Sequence, residues 1–193
     1  MIEQQLINAL SLGSVYALFA LGFTLVFGVL GVINLSHGAI FMLGSYIALL
    51  LVNHFQVSLW IALIAAMLVC GLLGVMVDFL VLRPLRKRNA PHLAPMIATI
   101  GVAIMMTNIA QGFFGAENKR FPFGTIPEDS FTIGNIHLTA VQIAIVVISF
   151  ILMIILLLGM RRTQLGRALR AIAESPKAAY LLGINVEGLF FLT

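Results

Sequence analysis

The sequence predicts an all-α protein, a polytopic bundle of transmembrane helices. Hydrophobic residues make up 61% of the 193 residues and charged residues 9%, whereas an ordinary soluble domain carries roughly 25% charged residues. The mean hydropathy is +1.10. The apolar stretches continue for about 20 residues without alternation, which favours helices over an outer-membrane barrel. We therefore expect the whole chain, residues 1–193, to form one membrane domain.

Five apolar segments account for most of the chain. The first residues lack the basic region of a secretory signal, so we expect the first segment to be retained in the membrane. Residues 190–193 resemble the opening of a further segment. The five segments are 6–30, 38–52, 58–82, 93–114 and 139–160.

The first two apolar segments are separated by the polar segment 34–38, in which Asn34, Ser36 and His37 are followed by Gly38. Residues 38–52 would form a helix of about 22 Å, which is shorter than the ~30 Å hydrocarbon core. We therefore expect a broken helix near residues 30–38, with the polar segment below the membrane surface. A surface turn between two full crossings is the alternative.

The basic residues indicate the orientation. Nine of the eleven Lys and Arg residues fall in the blocks 83–88 and 161–177, each after a long apolar segment. Such blocks mark the cytoplasmic side, and two segments separate them, as this orientation requires. Residues 115–138 are then an external loop. The pI of about 9.7 reflects this topology and does not indicate a nucleic-acid partner.

The sequence offers no catalytic machinery. Its carboxylates fall in loops or near segment ends, so His37 is the candidate for an ionisable group deep in the bundle. A histidine there is also commonly a hydrogen-bonded structural group. No nucleophile elbow, metal-ligand spacing or phosphate-binding loop is present. We expect no catalytic residue, metal or cofactor, and energy for transport would enter through another subunit.

The region 161–185 predicts two short cytoplasmic helices. Leu165, Leu169 and Ile172 recur at helical spacing. Ser175 and Pro176 can cap and begin a second helix. We expect this coupling region to dock a partner. The alternative is a basic helix that lies on the anionic inner leaflet.

Several motifs resemble the branched-chain amino-acid ABC importer permease family. The resemblance covers nearly the whole chain, with its blocks in one order. These blocks are GVLGVINLSHG at 28–38, MLGSY at 42–46, RPL at 83–85, IATIG at 97–101, LGRA at 165–168 and LLGIN at 181–185.

The resemblance implies a permease subunit in a bacterial inner membrane, crossing it several times. Its partners would be a second permease subunit, ATP-binding subunits, a periplasmic substrate-binding protein that faces the external loop, and membrane lipid. The family's docking loop, Glu-Ala-Ala-x-x-x-Gly, is similar to KAAYLLG at 177–183, where Lys replaces Glu. ABC permeases of this kind do not themselves hydrolyse ATP.

Two sets of candidate residues follow. The expected translocation path is lined by Asn34, Ser36, His37, Gly38, Thr99 and Asn108. The expected ATPase-docking residues are Arg167, Arg170, Glu174, Ala178, Ala179 and Gly183.

Two other functions remain compatible with the sequence. A related urea or short-amide importer would have a similar permease, and a channel or scaffold without energy coupling would have similar spans. Family members continue through more membrane segments, so we also expect this chain to be truncated at its carboxyl end.

Overall fold

In a computed structural model, five helices are long and apolar enough to cross a membrane. The structure describes residues 2–88, 90–91, 93–117, 119–121, 130–133, 136–186 and 188–189, and this count refers to them. Many large apolar side chains on these helices are exposed, including Ile64, Leu68 and Leu72 on one helix. Such surfaces suit lipid or other membrane subunits. The predicted all-α polytopic architecture is confirmed.

The elements follow one another in a simple order. They are α1 (Ile2–Leu30), α2 (His37–Phe55), α3 (Leu59–Val77), a π-helical turn (Asp78–Leu82), α4 (Arg83–Lys87), α5 (Leu93–Phe114), β1 (Ser130–Ile133), β2 (Ile136–Thr139), α6 (Ala140–Arg162), α7 (Gln164–Glu174) and α8 (Pro176–Leu181). They form two compact units, one with α1, the strands and α6 to α8, the other with α2 to α5.

The break near residues 30–38 differs from the expected form. It separates α1, of 29 residues, from α2, of 19 residues. At 1.5 Å per residue, α2 is about 28 Å long, so it is not the short half-helix that residues 38–52 suggested. Its last turn continues through the polar residues Asn53 and His54, which lie beyond the apolar segment 38–52. The polar segment therefore joins two helices that are each long enough to cross.

In the first unit, α1 and α6 run in the same direction. Near the start of α1, Gln4 forms hydrogen bonds with the backbone of His137, which lies just before α6. Near the end of α1, Val29 packs against Leu169 and Ile172 of α7, which directly follows α6. Because corresponding ends meet, the two helices are parallel.

A β-hairpin precedes α6, within the stretch that we expected to be an irregular external loop. β1 and β2 are antiparallel, with Ser130 opposite Thr139 and Ile133 opposite Ile136. Thr139 caps α6 through a reciprocal pair of hydrogen bonds with Gln142. Much of the expected loop, including Pro122, Pro127 and Gly134, lies outside the described residues.

In the second unit, the π-helical turn makes α3 and α4 continuous. The Arg83 N–H donates to the Asp78 carbonyl, five residues earlier. Pro84 lacks an N–H, and in a regular helix its ring would collide with the carbonyl of Leu80. The wider turn accommodates this proline. It also places the Asp78 carboxylate 2.7 Å from the Arg86 guanidinium.

The other helices of this unit pack through small side chains. A Cβ atom added to Gly44 on α2 would lie 2.7 Å from the Cys70 Sγ on α3. Ala48 on α2 and Ala62 on α3 belong to one buried cluster. Close approach at glycine and alanine is a usual packing device of membrane helices.

Candidate functional site

The polar segment satisfies its hydrogen bonds within the protein. The Asn34 Oδ1 atom accepts hydrogen bonds from the Ser36 N–H at 3.1 Å and the Ser36 Oγ at 2.6 Å. Asn34 and Ser36 are both buried. A side chain that replaces a backbone turn in this way fixes the local conformation. These two residues therefore brace the start of α2.

Thr99 on α5 ties the same segment to a second helix. Its Oγ1 accepts a hydrogen bond from the Leu35 N–H at 3.1 Å and donates one to the Met96 carbonyl at 2.9 Å. Thr99 is fully buried. The bond is part-buried, and because a backbone N–H shielded from water needs an acceptor, this hydroxyl replaces the partner that Leu35 lacks ahead of the helix.

The other expected path residues occupy different environments. His37 is half-buried at the first position of α2, where its N–H donates to the Asn34 carbonyl at 3.3 Å. Gly38 is exposed.

Asn108 is exposed on α5, where its amide donates to the Ile104 carbonyl. Asn108 lies nine residues after Thr99, and nine residues at about 100° each place the two on opposite faces. The structure thus groups Asn34, Ser36 and Thr99, and separates Asn108 from them.

The second candidate region is the α7–α8 corner, residues 164–183. Thr163 caps α7 by accepting a hydrogen bond from the Gly166 N–H at 3.0 Å. Ser175 caps α8 by accepting one from the Ala178 N–H at 3.2 Å. Both caps match the residue types that favour helix starts. Gly183 follows α8 with a φ of 81°, a left-handed conformation that suits glycine.

Backbone packing at the first turn of α7 is very close. A Cβ atom on Gly166 would lie 2.5 Å from the Gly159 carbonyl oxygen and closer still to the carbonyl of Met160. The Arg170 guanidinium also donates to the Met160 carbonyl. These contacts hold α7 tightly against the end of α6.

The expected docking residues divide into inward and outward positions. Ala179 is buried, whereas Ala178 and Gly183 are exposed. Arg167, Arg170 and Glu174 are exposed along α7. Because the arginines lie on the exposed face of α7, Leu169 and Ile172 form its buried face.

Sequence reasoning missed the most exposed apolar surface of this corner. Tyr180, Leu181 and Leu182 are 72%, 79% and 80% exposed. A signal was available, because three consecutive large apolar residues around the end of a six-residue helix cannot all face one core. Exposed apolar side chains next to cationic ones are typical of a protein interface.

Sequence reasoning also missed an amide cluster at the other end of the first unit. The Gln4 side-chain amide donates to the His137 carbonyl at 2.9 Å and accepts from the His137 N–H at 2.8 Å. A neighbouring β-strand would form the same pair of hydrogen bonds. Gln142 donates to Asn8 at 2.9 Å. The sequence did offer a signal for this cluster, namely amide side chains at the start of two apolar segments. The cluster joins α1, the hairpin and α6.

Metal binding finds no support in the described part of the chain, where no three His, Cys, Asp or Glu residues are grouped to hold an ion.

Comparison with known proteins gives one consistent family. Residues 5–193 match the model of the branched-chain amino acid transport system permease component. The high-affinity branched-chain amino acid transport system permease protein BraD of Pseudomonas aeruginosa is 36% identical, covering 98% of this chain and 65% of that protein. LivH of Escherichia coli, of the same description, is 31% identical with the same coverage.

An archaeal relative agrees. The probable branched-chain amino acid transport permease protein LivH of Methanocaldococcus jannaschii is 30% identical, covering 93% of this chain and 58% of that protein. The chain thus spans less than two thirds of the length of these relatives. No solved structure matches. The matched residues include both candidate regions and all five long helices. The chain belongs to the family of branched-chain amino acid transport permease components, which are multi-pass membrane proteins.

Proposed function

We propose that the chain is part of a permease subunit of an ATP-driven ABC importer for branched-chain amino acids. The relatives are named as high-affinity transport permeases for these substrates, which supports the substrate class. The observation that carries the proposal is the α7–α8 corner, which offers capped short helices with an exposed apolar surface after a spanning helix. A channel or scaffold without energy coupling has no need of such a surface.

The proposed orientation places the α7–α8 corner in the cytoplasm. Arg161 and Arg162 end α6, and Arg83 to Arg88 lie at the end of the α3–α4 helix; basic residues favour the cytoplasmic side. Because α1 is parallel to α6, the start of α1 then lies outside with the hairpin. We place the protein in the bacterial inner membrane.

The proposed partners follow from the two ends of the first unit. ATP-binding subunits would contact Tyr180, Leu181 and Leu182, with Ala178 and Gly183 beside them. Arg167, Arg170 and Glu174 would form the charged margin of that contact. A second permease subunit would complete the passage, and a periplasmic substrate-binding protein would contact the hairpin end.

For the translocation path, we propose a division of roles among the candidate residues. Asn34, Ser36 and Thr99 form hydrogen bonds within the protein, so they brace the segment and do not contact solute. His37 and Gly38 are less buried, and they would line the passage. Asn108 is exposed on the face of α5 opposite Thr99, so we leave it out of the passage beside His37 and Gly38.

Docking can be tested with the full-length protein. Ala178→Asp and Gly183→Asp should each abolish copurification of the ATP-binding subunits and ATP-dependent leucine uptake, because a carboxylate on an apolar contact loses its hydration. Ala116→Asp, at an exposed alanine after α5, is the matched control and should retain copurification of the ATP-binding subunits. Normal copurification and uptake in both docking variants would refute the proposed docking surface.

The substrate class needs a separate measurement. Radiolabelled leucine should accumulate in vesicles that hold the assembled transporter and ATP, and excess isoleucine or valine should compete while urea and acetamide should not. Competition by urea or acetamide in place of valine would assign the protein to an amide importer. Leucine entry that does not depend on ATP would indicate a channel.

A further inference from the structure

The buried cluster inside the α7–α8 corner includes Val29, a side chain from the spanning helix α1. Leu169 and Ile172 of α7 and Ala179 of α8 form a buried cluster, and Val29 of α1 completes it. Val29 is 5% exposed and Ile172 is 0% exposed. The corner is therefore packed against the inner ends of two spanning helices, with Val29 of α1 inside the buried cluster and Met160 of α6, which is partly buried, against it.

The inner and outer faces of α8 are adjacent. Ala179 packs inward, while Tyr180 and Leu181 project outward. A partner that presses on the outer face must displace Ala179, and through it Ile172 and Val29. Protein interiors are close-packed and poorly compressible. Displacement is therefore transmitted to α1 in preference to being absorbed within the cluster.

The chain beyond Val29 is suited to respond. Helix α1 ends at Leu30, and Gly31 has a φ of 64°, a conformation that allows a sharp change of direction at glycine. The polar segment begins three residues later. The last turn of α1 is thus connected to the proposed path residues by a short stretch of main chain.

We propose that Val29 is a positioning residue that makes the inner end of α1 follow the α7–α8 corner when ATP-binding subunits act on it. The inference rests on the proposed docking function. Movement would pass from α8 through the buried cluster to the last turn of α1 and Gly31, after which the main chain continues to residues 34–38. Val29 itself contacts neither solute nor partner.

The test compares leucine taken up per ATP hydrolysed in vesicles containing the full-length, assembled transporter. Val29→Ala removes the two methyl groups that fill the cluster. We expect the ATP-binding subunits still to copurify. The ratio of leucine taken up to ATP hydrolysed should fall about fivefold, a change of the size that a loosened buried contact can cause. Val29→Ile, which keeps the contact, should restore most of the ratio.

Val15→Ala is the matched control, since it makes the same change on α1 outside the cluster. Its ratio should equal that of the unchanged protein. An unchanged ratio in Val29→Ala would overturn the inference, and so would loss of copurification, because Val29 would then serve only to shape the docking surface. If the protein without substitutions binds no ATP-binding subunit, the proposed docking function is wrong. That result differs from an unchanged ratio in Val29→Ala, which refutes only the role of Val29.

Discussion

The backbone N–H of Leu35 donates a hydrogen bond to the Thr99 Oγ1 across 3.1 Å. The two residues are 64 positions apart in the chain. This bond joins the polar segment to α5, and Thr99 is fully buried where it forms. The segment that looked most like a solute contact in the sequence is therefore also a structural junction.

Replacing Thr99 by valine keeps the side-chain shape but removes the acceptor. Thr99→Val should lower the free energy of unfolding in detergent by about 1 kcal/mol, because the Leu35 N–H loses its partner in a part-buried position. Thr99→Ser should retain most of the stability. Thr107→Val is the matched control on α5, since the Thr107 hydroxyl bonds only to the local Ala103 carbonyl among the hydrogen bonds described. Equal losses in Thr99→Val and Thr107→Val would contradict the proposed junction.

The ion pair at the π-helical turn gives a second prediction. Asp78 and Arg86 are 11% and 22% exposed in their side chains. Arg86→Ala should lower the free energy of unfolding by about 3 kcal/mol, because the Asp78 carboxylate is left largely buried without its 2.7 Å partner. The double variant Asp78→Asn with Arg86→Ala should recover part of this loss, since no buried charge remains.

Arg88→Ala is the control for the loss of a basic residue in this block, because Arg88 is exposed. Thermal unfolding followed by tryptophan fluorescence can rank the four proteins. If Arg88→Ala were as destabilising as Arg86→Ala, the block would act through membrane orientation and the ion pair would contribute little.

The α6–α7 junction leads to a third prediction. Gly166→Ala should disrupt the α7–α8 corner, because its Cβ atom would enter the space of the Gly159 and Met160 carbonyls. Backbone atoms cannot rotate away as a side chain does, so α7 must move. We expect loss of ATP-binding subunits in copurification from full-length protein.

Gly159→Ala is a matched control on the neighbouring turn, where a Cβ atom meets nothing within 4 Å. It should leave assembly intact, and it favours the helix by up to about 1 kcal/mol. Retention of the ATP-binding subunits in Gly166→Ala would show that the corner tolerates displacement.

The fold class was predictable from the sequence because lipid imposes a simple requirement. Continuous apolar runs must satisfy their backbone hydrogen bonds internally, and helices do this within one segment. The end of α2 was placed too early because Asn53 and His54 are polar, although a helix entering the polar membrane boundary tolerates such residues. Local polarity marks a membrane boundary more reliably than it marks a helix end.

The features that were not predicted depend on distant residues. The hairpin strand Ile136–Thr139 is bonded to Gln4, which lies 133 positions from His137. The hydrogen bond that ties the polar segment to α5 depends on Thr99, which lies 64 positions from Leu35. The π-helical turn is an exception, because Pro84, two residues after the apolar segment 58–82, was a local signal for it.

The parallel arrangement of α1 and α6 gives the last prediction, which concerns orientation. In the sequence, the location of the first residues depended on whether residues 6–52 cross once or twice. The hydrogen bonds of Gln4 with His137 place the start of α1 beside the start of α6, so both must lie on one side of the membrane.

In a Cys70→Ala background, Glu3→Cys should react with an impermeant maleimide added to intact spheroplasts, as should Glu117→Cys. Lys177→Cys, at the α7–α8 corner, should react only after permeabilisation. A Glu3→Cys that reacts only after permeabilisation would mean that α1 and α6 are antiparallel in the membrane, in conflict with the packing of Val29 against α7.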